Sequence, residues 1–210
     1  FHWGTVFGIA SVITPVLLGM AVGVISSGQL RVIEGEVQRG GWLWLSLVSI
    51  LIGALARALC DYVAAVYLTN ATEGELREDF RHRAILSGTV VVGLAVIALP
   101  LLAWKATHLW EGLTSRKAIP VLSIGAIFAL LSGWALWRRR FQLARLATIG
   151  HVALLILGWG LAQSPHLIYP DLTLHDSAAS EATLRFVLWT LPFGAMILIP
   201  SLWLLFRVFR

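Results

Sequence analysis

Residues 158–185 read Gly-Trp-Gly-Leu-Ala-Gln-Ser-Pro-His-Leu-Ile-Tyr-Pro-Asp-Leu-Thr-Leu-His-Asp-Ser-Ala-Ala-Ser-Glu-Ala-Thr-Leu-Arg. The run opens inside an apolar segment, leaves it at Ser164-Pro165, and returns to an apolar segment beyond Arg185. Between these points it carries Asp171, Asp176 and Glu181 but no Lys or Arg until Arg185. Such a stretch reads as the link between two membrane helices. Its acidity predicts that it lies outside, because basic residues concentrate on the cytoplasmic side.

The flanking sequence fits this reading. The chain has 210 residues, of which 58% are hydrophobic and 13% charged, and its mean hydropathy is +0.82. A soluble surface needs about a quarter charged residues, so the composition is that of an integral membrane protein. Crossing about 30 Å of hydrocarbon takes about 20 residues, and six segments are long enough: 3–27, 42–68, 84–102 (continuing towards Trp110), 118–137, 146–168 and 184–206. The expected fold is an all-α, polytopic transmembrane helical bundle, one domain over 1–210. There is no internal repeat and no low-complexity tract.

The net charge of +5 does not point to nucleic acid, because the bases sit at the ends of apolar runs, as positive-inside topology requires. With every segment crossing, one face collects nine bases: Arg77, Arg81, Arg83, Arg138, Arg139, Arg140, Arg145, Arg207 and Arg210. The other collects six, Arg31, Arg39, Lys105, Arg116, Lys117 and Arg185, together with the acidic loop. The C-terminus is therefore expected in the cytoplasm. The Arg138–Arg140 cluster also suits anionic lipid. Segment one is too long for a signal-peptide core and lacks a basic leader, and the lone Cys60 can form no intrachain disulfide.

Local signals refine the elements. Gly4, Gly8, Gly19 and Gly23 form two small-xxx-small pairs in segment one, which suit close helix packing, and Pro15 should kink that helix. The 28–41 stretch reads as a short loop. Thr72 and Glu75 have capping-box spacing, which predicts a helix start there. Glu73 with Arg77 and Asp79 with Arg83 are expected i,i+4 pairs on a solvated helical leader. Pro100, Trp104, Lys105 and Trp110 suggest a bilayer interface. Ser177 or Ser180 should cap segment six, with Glu181 near its positive end and bends at Pro192 and Pro200.

The candidate functional residues are few. Arg57 and Asp61 lie four apart within segment two, hence on one helical face. An ionisable residue in a membrane span costs about 2.5–3.5 kcal/mol at the helix centre and is a functional candidate by default. A self-neutralising structural pair is the simpler reading, since Asp61 is near the segment's end and Arg57 can snorkel. Haem ligation needs His or Met inside a bundle. His2, His82, His108, His166 and His175 fall at termini, interfaces or loops, leaving His151 inside a span; Met20 and Met196 read as packing. There is no phosphate loop, nucleophile elbow or zinc spacing. The residues therefore offer no catalytic group and no metal site, and the cofactor-binding residues stay unassigned.

Three blocks carry a family resemblance. Phe7 to Gly19 (Phe-Gly-Ile-Ala-Ser-Val-Ile-Thr-Pro-Val-Leu-Leu-Gly), Ala71 to Ala84 (Ala-Thr-Glu-Gly-Glu-Leu-Arg-Glu-Asp-Phe-Arg-His-Arg-Ala), and 158–185 with the closing Pro-Ser-Leu-Trp-Leu-Leu-Phe-Arg-Val-Phe-Arg at 200–210 resemble subunit II of cytochrome bd-type quinol oxidases. The blocks come in the family's order and span nearly all of this chain. Members of that family carry additional helices upstream, and the chain begins at Phe1 and not at Met, so it is read as the C-terminal part of a longer chain.

The resemblance implies a haem-free subunit of a complex that couples quinol oxidation to reduction of oxygen to water in aerobic respiration. Its place would be the bacterial inner membrane, as the heterodimeric partner of a haem-bearing subunit I, which it supports in assembly and stability. This chain would bind no haem. The implied partners are subunit I, the quinone pool and membrane lipid, with a structural quinone held in some members. No family motif reaches Arg57 or Asp61. A secondary transporter fragment would also show six spans, interrupted helices and a charged pair, and an assembly scaffold is a third reading.

Overall fold

A computed structural model describes residues 3–33, 36–38 and 41–208, without the side chain of Phe206. His2, Arg39 and Arg210, placed above from sequence, lie outside the described residues. The chain divides into two compact units, Phe1–Leu174 and His175–Arg210. Six helices are long and apolar enough to cross a membrane, and the fold is an all-α polytopic bundle, as expected.

The first unit holds five of these helices: α1 (Trp3–Ser26), α2 (Leu47–Ala71), α3 (Gly74–Lys105), α5 (Ala118–Trp137) and α6 (Phe141–Gln163), with a short α4 (Thr107–Leu113) between α3 and α5. Helix α2 is the hub, packing against α1, α3 and α6, while α5 and α6 form a hairpin. The α1–α2 connection contains a 3-10 turn (Leu43–Leu45) and a two-residue hairpin, β1 (Val32–Ile33) with β2 (Glu36–Val37), where a plain loop was expected. A second hairpin, β3 (His166–Ile168) with β4 (Leu172–Thr173), follows α6 and has cis peptides before Pro165 and Pro170.

Small residues set the helix spacing. One core cluster gathers Tyr62, Ala65, Val66, Ala84, Ala135, Leu136 and Ala144; the other gathers Val48, Leu102, Ala106, Leu109, Ala118 and Ala162. Of the two glycine pairs in α1, only the second meets another helix among the described residues. A Cβ on Gly19 would stand 2.6 Å from Ala56 Cβ and 2.8 Å from Gly53 Cα, whereas one on Gly4 or Gly8 would meet nothing within 4 Å. The Ser49 hydroxyl donates to the Met20 carbonyl across the same crossing, at 2.8 Å. Between α2, α5 and α6, Ser132 joins Tyr62 and Thr148, each at 2.6 Å, and reaches the Ala144 carbonyl at 3.2 Å. Ser132 has one proton and a carbonyl only accepts, so Tyr62 and Thr148 both donate to Ser132 when it donates to Ala144.

Several boundaries differ from the sequence reading. Thr72 ends α2 instead of starting α3: its hydroxyl donates to Leu68 O at 2.7 Å, and α3 begins at Gly74, whose φ is 62°. Arg77 donates to Thr72 O at 2.6 Å, in place of the expected contact with Glu73. The Asp79–Arg83 pair forms at 3.0 Å. Pro100 lies inside α3, which runs on to Lys105; at 32 residues and 1.5 Å per residue α3 is about 48 Å long, so it also extends beyond the hydrocarbon.

Helix α6 starts at Phe141, five residues before the expected 146, because α5 and α6 are joined by a tight turn. Arg139 N–H donates to Leu136 O and Arg140 N–H to Ala135 O, which together make a Schellman closure. Arg139 occupies its left-handed position at φ 58°, where glycine is usual and an L side chain costs about 1 kcal/mol. This turn meets the start of α3 through Arg139–Glu78 at 3.4 Å. Asp171 lies beyond the other end of the 23-residue α6, opposite the arginine turn.

The second unit is α7 (Glu181–Val208), with Pro192 and Pro200 inside it. Of the two serine caps considered, Ser180 is used: its Oγ accepts from Thr183 N–H at 3.4 Å. Glu181 sits in the first turn and pairs with Arg185 at 2.6 Å.

Candidate functional site

Polar chemistry within the first unit collects at two levels. The first is the Arg57–Asp61 ion pair on α2. Because α2 runs from Leu47 to Ala71, the pair straddles Leu59, twelve residues from either end (59 − 47 and 71 − 59). It is thus deeper in the helix than the sequence reading placed it. Arg57 is partly buried and Asp61 is half exposed, so the pair lies at the surface of this unit.

The second level is the end where α1, α4 and α6 meet the β3–β4 hairpin. His108, from α4, stacks on Tyr169 with ring centroids 3.7 Å apart and planes 10° from parallel. His166 stands edge-on to both rings at 5.1 Å. Tyr169 also abuts Gly28, whose φ of 70° carries the chain past the ring with no side chain in the way. Trp159 donates its indole N–H to Ser26 Oγ at 3.0 Å, and Gln163 lies one turn further along the same face of α6. His108 Nε2, His166 Nδ1 and both polar atoms of the Gln163 amide are buried without a hydrogen-bond partner among the described residues. Gln163 is 5% exposed. Buried polar groups are nearly always satisfied, so this end has unused capacity for water or a polar group from outside the chain. Burial, and then the neighbouring His166, hold His108 below the usual histidine range, against an opposing pull from Glu111. A neutral imidazole offers a lone pair.

The hairpin is clipped to the α1–α2 connection by a fork–fork pair. Arg31 Nε and Nη2 donate to Asp171 Oδ2 and Oδ1 at 2.8 and 2.9 Å, and Val32 N–H donates to Oδ2 at 2.8 Å. The Arg31 hydrogen bond, then the Val32 amide, hold the Asp171 carboxyl below its ordinary value. A depressed carboxyl contributes stability that is present above its unfolded pKa, near 3.9, and is lost as pH falls through the folded value. Asp171→Ala should therefore speed hydrogen exchange of the Val32 amide about tenfold at neutral pH, the loss of one charge-assisted bond. In the parent protein that protection should persist until the pH drops below about 4. Equal exchange in the two proteins at neutral pH would refute the clip.

His151, the histidine that the sequence places inside a span, donates Nδ1–H to the Gly125 carbonyl at 2.9 Å, and this bond accounts for its position between α5 and α6. His82 is outward on α3 and His175 belongs to the second unit. Among the described residues no group of three or more His, Cys, Asp or Glu is placed to hold a metal ion. The His108–His166–Tyr169 cluster and the Arg31–Asp171 clip were not foreseen, since each joins residues far apart in the chain, 140 positions in the case of the clip. The acidity of the 158–185 stretch was their only sequence signal.

Known proteins agree with this architecture. The chain is similar in fold to a chain in the structure of bd oxidase from Geobacillus thermodenitrificans, with a TM-score of 0.77 and 24% identity. That likeness covers 95% of this chain and 62% of the other, so the chain spans less than two thirds of its structural relative. No curated protein matches. The family model described as cytochrome bd terminal oxidase subunit II matches residues 1–209. A multi-pass helical membrane protein matched along nearly its whole length by that model belongs to the cytochrome bd terminal oxidase subunit II family.

Proposed function

We propose that this chain serves as the haem-free subunit II of a quinol:oxygen oxidoreductase in the bacterial inner membrane. In this reading it forms a heterodimer with a haem-bearing subunit I, which it supports in assembly and stability. Oxidation of quinol is coupled to reduction of oxygen to water on the partner. The observation that carries the proposal is the family match over residues 1–209. Two features of the fold support it. The half-exposed Arg57–Asp61 pair lies on a surface that another membrane subunit would cover, and His151 has its own hydrogen-bond partner in Gly125. The end with the α2–α3 turn and Arg138–Arg140 is assigned to the cytoplasm and the Asp171 end to the outside, following the excess of bases.

The test uses the complex purified through a tag on this chain. The reduced-minus-oxidised spectrum should show haem bands, and quinol should drive oxygen uptake. His151→Ala should leave the bands unchanged. A complex that assembles without haem would sink the proposal, and loss of one haem signal in the assembled His151→Ala complex would show that this chain supplies an iron ligand.

A further inference from the structure

The end of the first unit opposite the hairpin contains a cleft of about 500 Å³ lined by Arg77, Arg139, Arg140, Asn70, Phe141 and Gln142. Its charge is poorly balanced. Among the described residues Glu78 is the one carboxylate within ion-pair range of these arginines, 3.4 Å from Arg139, and it is already shared with Arg81 at 2.9 Å. Among the described residues Arg77 and Arg140 reach no carboxylate; their guanidiniums lie over Phe141 and Trp134 at 5.3 and 5.6 Å. The cleft also meets the first turn of α6, whose amides lack intrahelical acceptors and receive no side-chain cap. A positive helix end therefore adds to the guanidiniums.

Two further observations say what this site takes. Arg139 holds the left-handed position of the α5–α6 turn, φ 58°, which glycine fills without strain. A charged residue kept where the backbone favours glycine is a mark of a ligand clamp. Next, Gln142 at the cleft shares a helical face with Leu146, Ile149 and Ile156, and these three are outward-facing at 60%, 57% and 62% exposure. A cationic cleft thus continues into an apolar strip descending α6, with exposed Tyr67 and Trp137 near the same end as an interfacial belt. Free phosphate would use the cleft and leave the strip bare.

We propose that the cleft seats the phosphate of an anionic phospholipid through Arg77, Arg139 and Arg140, with the acyl chains along Leu146, Ile149 and Ile156. This site depends on the membrane fold and is independent of any redox role.

The test takes the intact complex through nanodiscs of phosphatidylcholine mixed with phosphatidylglycerol and reads retained lipid by native mass spectrometry. The parent complex should retain phosphatidylglycerol in preference to phosphatidylcholine. Arg77→Gln and Arg140→Gln should each weaken retention about tenfold, the effect of losing one charge-assisted bond. Arg139→Gly is the decisive variant, because it should also lose lipid while its unfolding midpoint holds or rises. Retention equal to the parent in all variants, or no preference for the anionic lipid, would overturn the proposal. So would two other results. If inorganic phosphate in lipid-free detergent stabilises the complex as much as phosphatidylglycerol does, the site is for soluble phosphate. If phenylglyoxal fails to reach these arginines in the delipidated complex, another subunit covers the cleft.

Discussion

Gly19→Ala is expected to destabilise the chain by about 3 kcal/mol, the upper part of the usual range for overpacking. The reason is geometric. The added methyl would fall 2.6 Å from Ala56 Cβ, 2.8 Å from Gly53 Cα and 2.9 Å from Ile52 O. Two of these atoms are backbone and the third is a β-carbon, so no rotamer change makes room; α1 and α2 must separate. Separation would also strain the Ser49–Met20 hydrogen bond, and close approach of small residues is a main source of helix association in lipid. Gly8→Ala is the matched control, as its methyl meets nothing within 4 Å. Removing a mid-helix glycine there should be neutral or gain up to about 1 kcal/mol. Reversible unfolding in mixed detergent micelles measures both. Equal effects of the two substitutions would mean that the Gly19 crossing does not hold α1 in place.

The same crossing shows what the sequence discloses and what it withholds. Gly4/Gly8 and Gly19/Gly23 have identical spacing, yet only the second pair meets α2, because spacing marks a surface that permits contact without naming its partner. The limits of helix α5, Ala118–Trp137, are legible in the sequence, since Lys117 and Arg138 bracket an unbroken apolar run. The start of α6 is hidden because four of the five residues from Arg138 to Gln142 are charged or polar and suggest a loop, whereas the Schellman hydrogen bonds that tighten it are backbone contacts with no side-chain signature. Thr72 illustrates the same ambiguity: its hydroxyl suits a helix start, but it serves the end of the preceding helix. Among the candidate residues, Arg57 and Asp61 were legible because helical periodicity alone joins them. The rings of His108, His166 and Tyr169 meet only after α4 and the β3–β4 hairpin are brought together, which no local pattern encodes.

Asp61→Asn is expected to cost about 2–3 kcal/mol, since it strands Arg57 near the middle of α2 with a neutral amide in place of its counter-charge. Snorkelling cannot remove the whole penalty: Leu47, the nearer end of the helix, is ten residues from Arg57, about 15 Å at 1.5 Å per residue. Arg57→Gln should cost a similar amount by leaving the carboxylate alone, and Arg57→Gln with Asp61→Asn should cost less than the sum, since no net charge then remains to be neutralised. The swap Arg57→Asp with Asp61→Arg gives a sharper test. The natural order places the base before the acid, the weaker of the two i,i+4 orientations on a helix. The swapped chain should therefore recover most of the stability lost in either single variant. Unfolding free energies from a double-mutant cycle on the purified complex supply the coupling, and oxygen uptake is measured alongside. Additive costs, or no cost for Asp61→Asn, would exclude a stabilising pair. A fall in oxygen uptake in the swapped variant, at full stability, would instead assign the pair a part in the complex's chemistry that charge neutralisation does not explain.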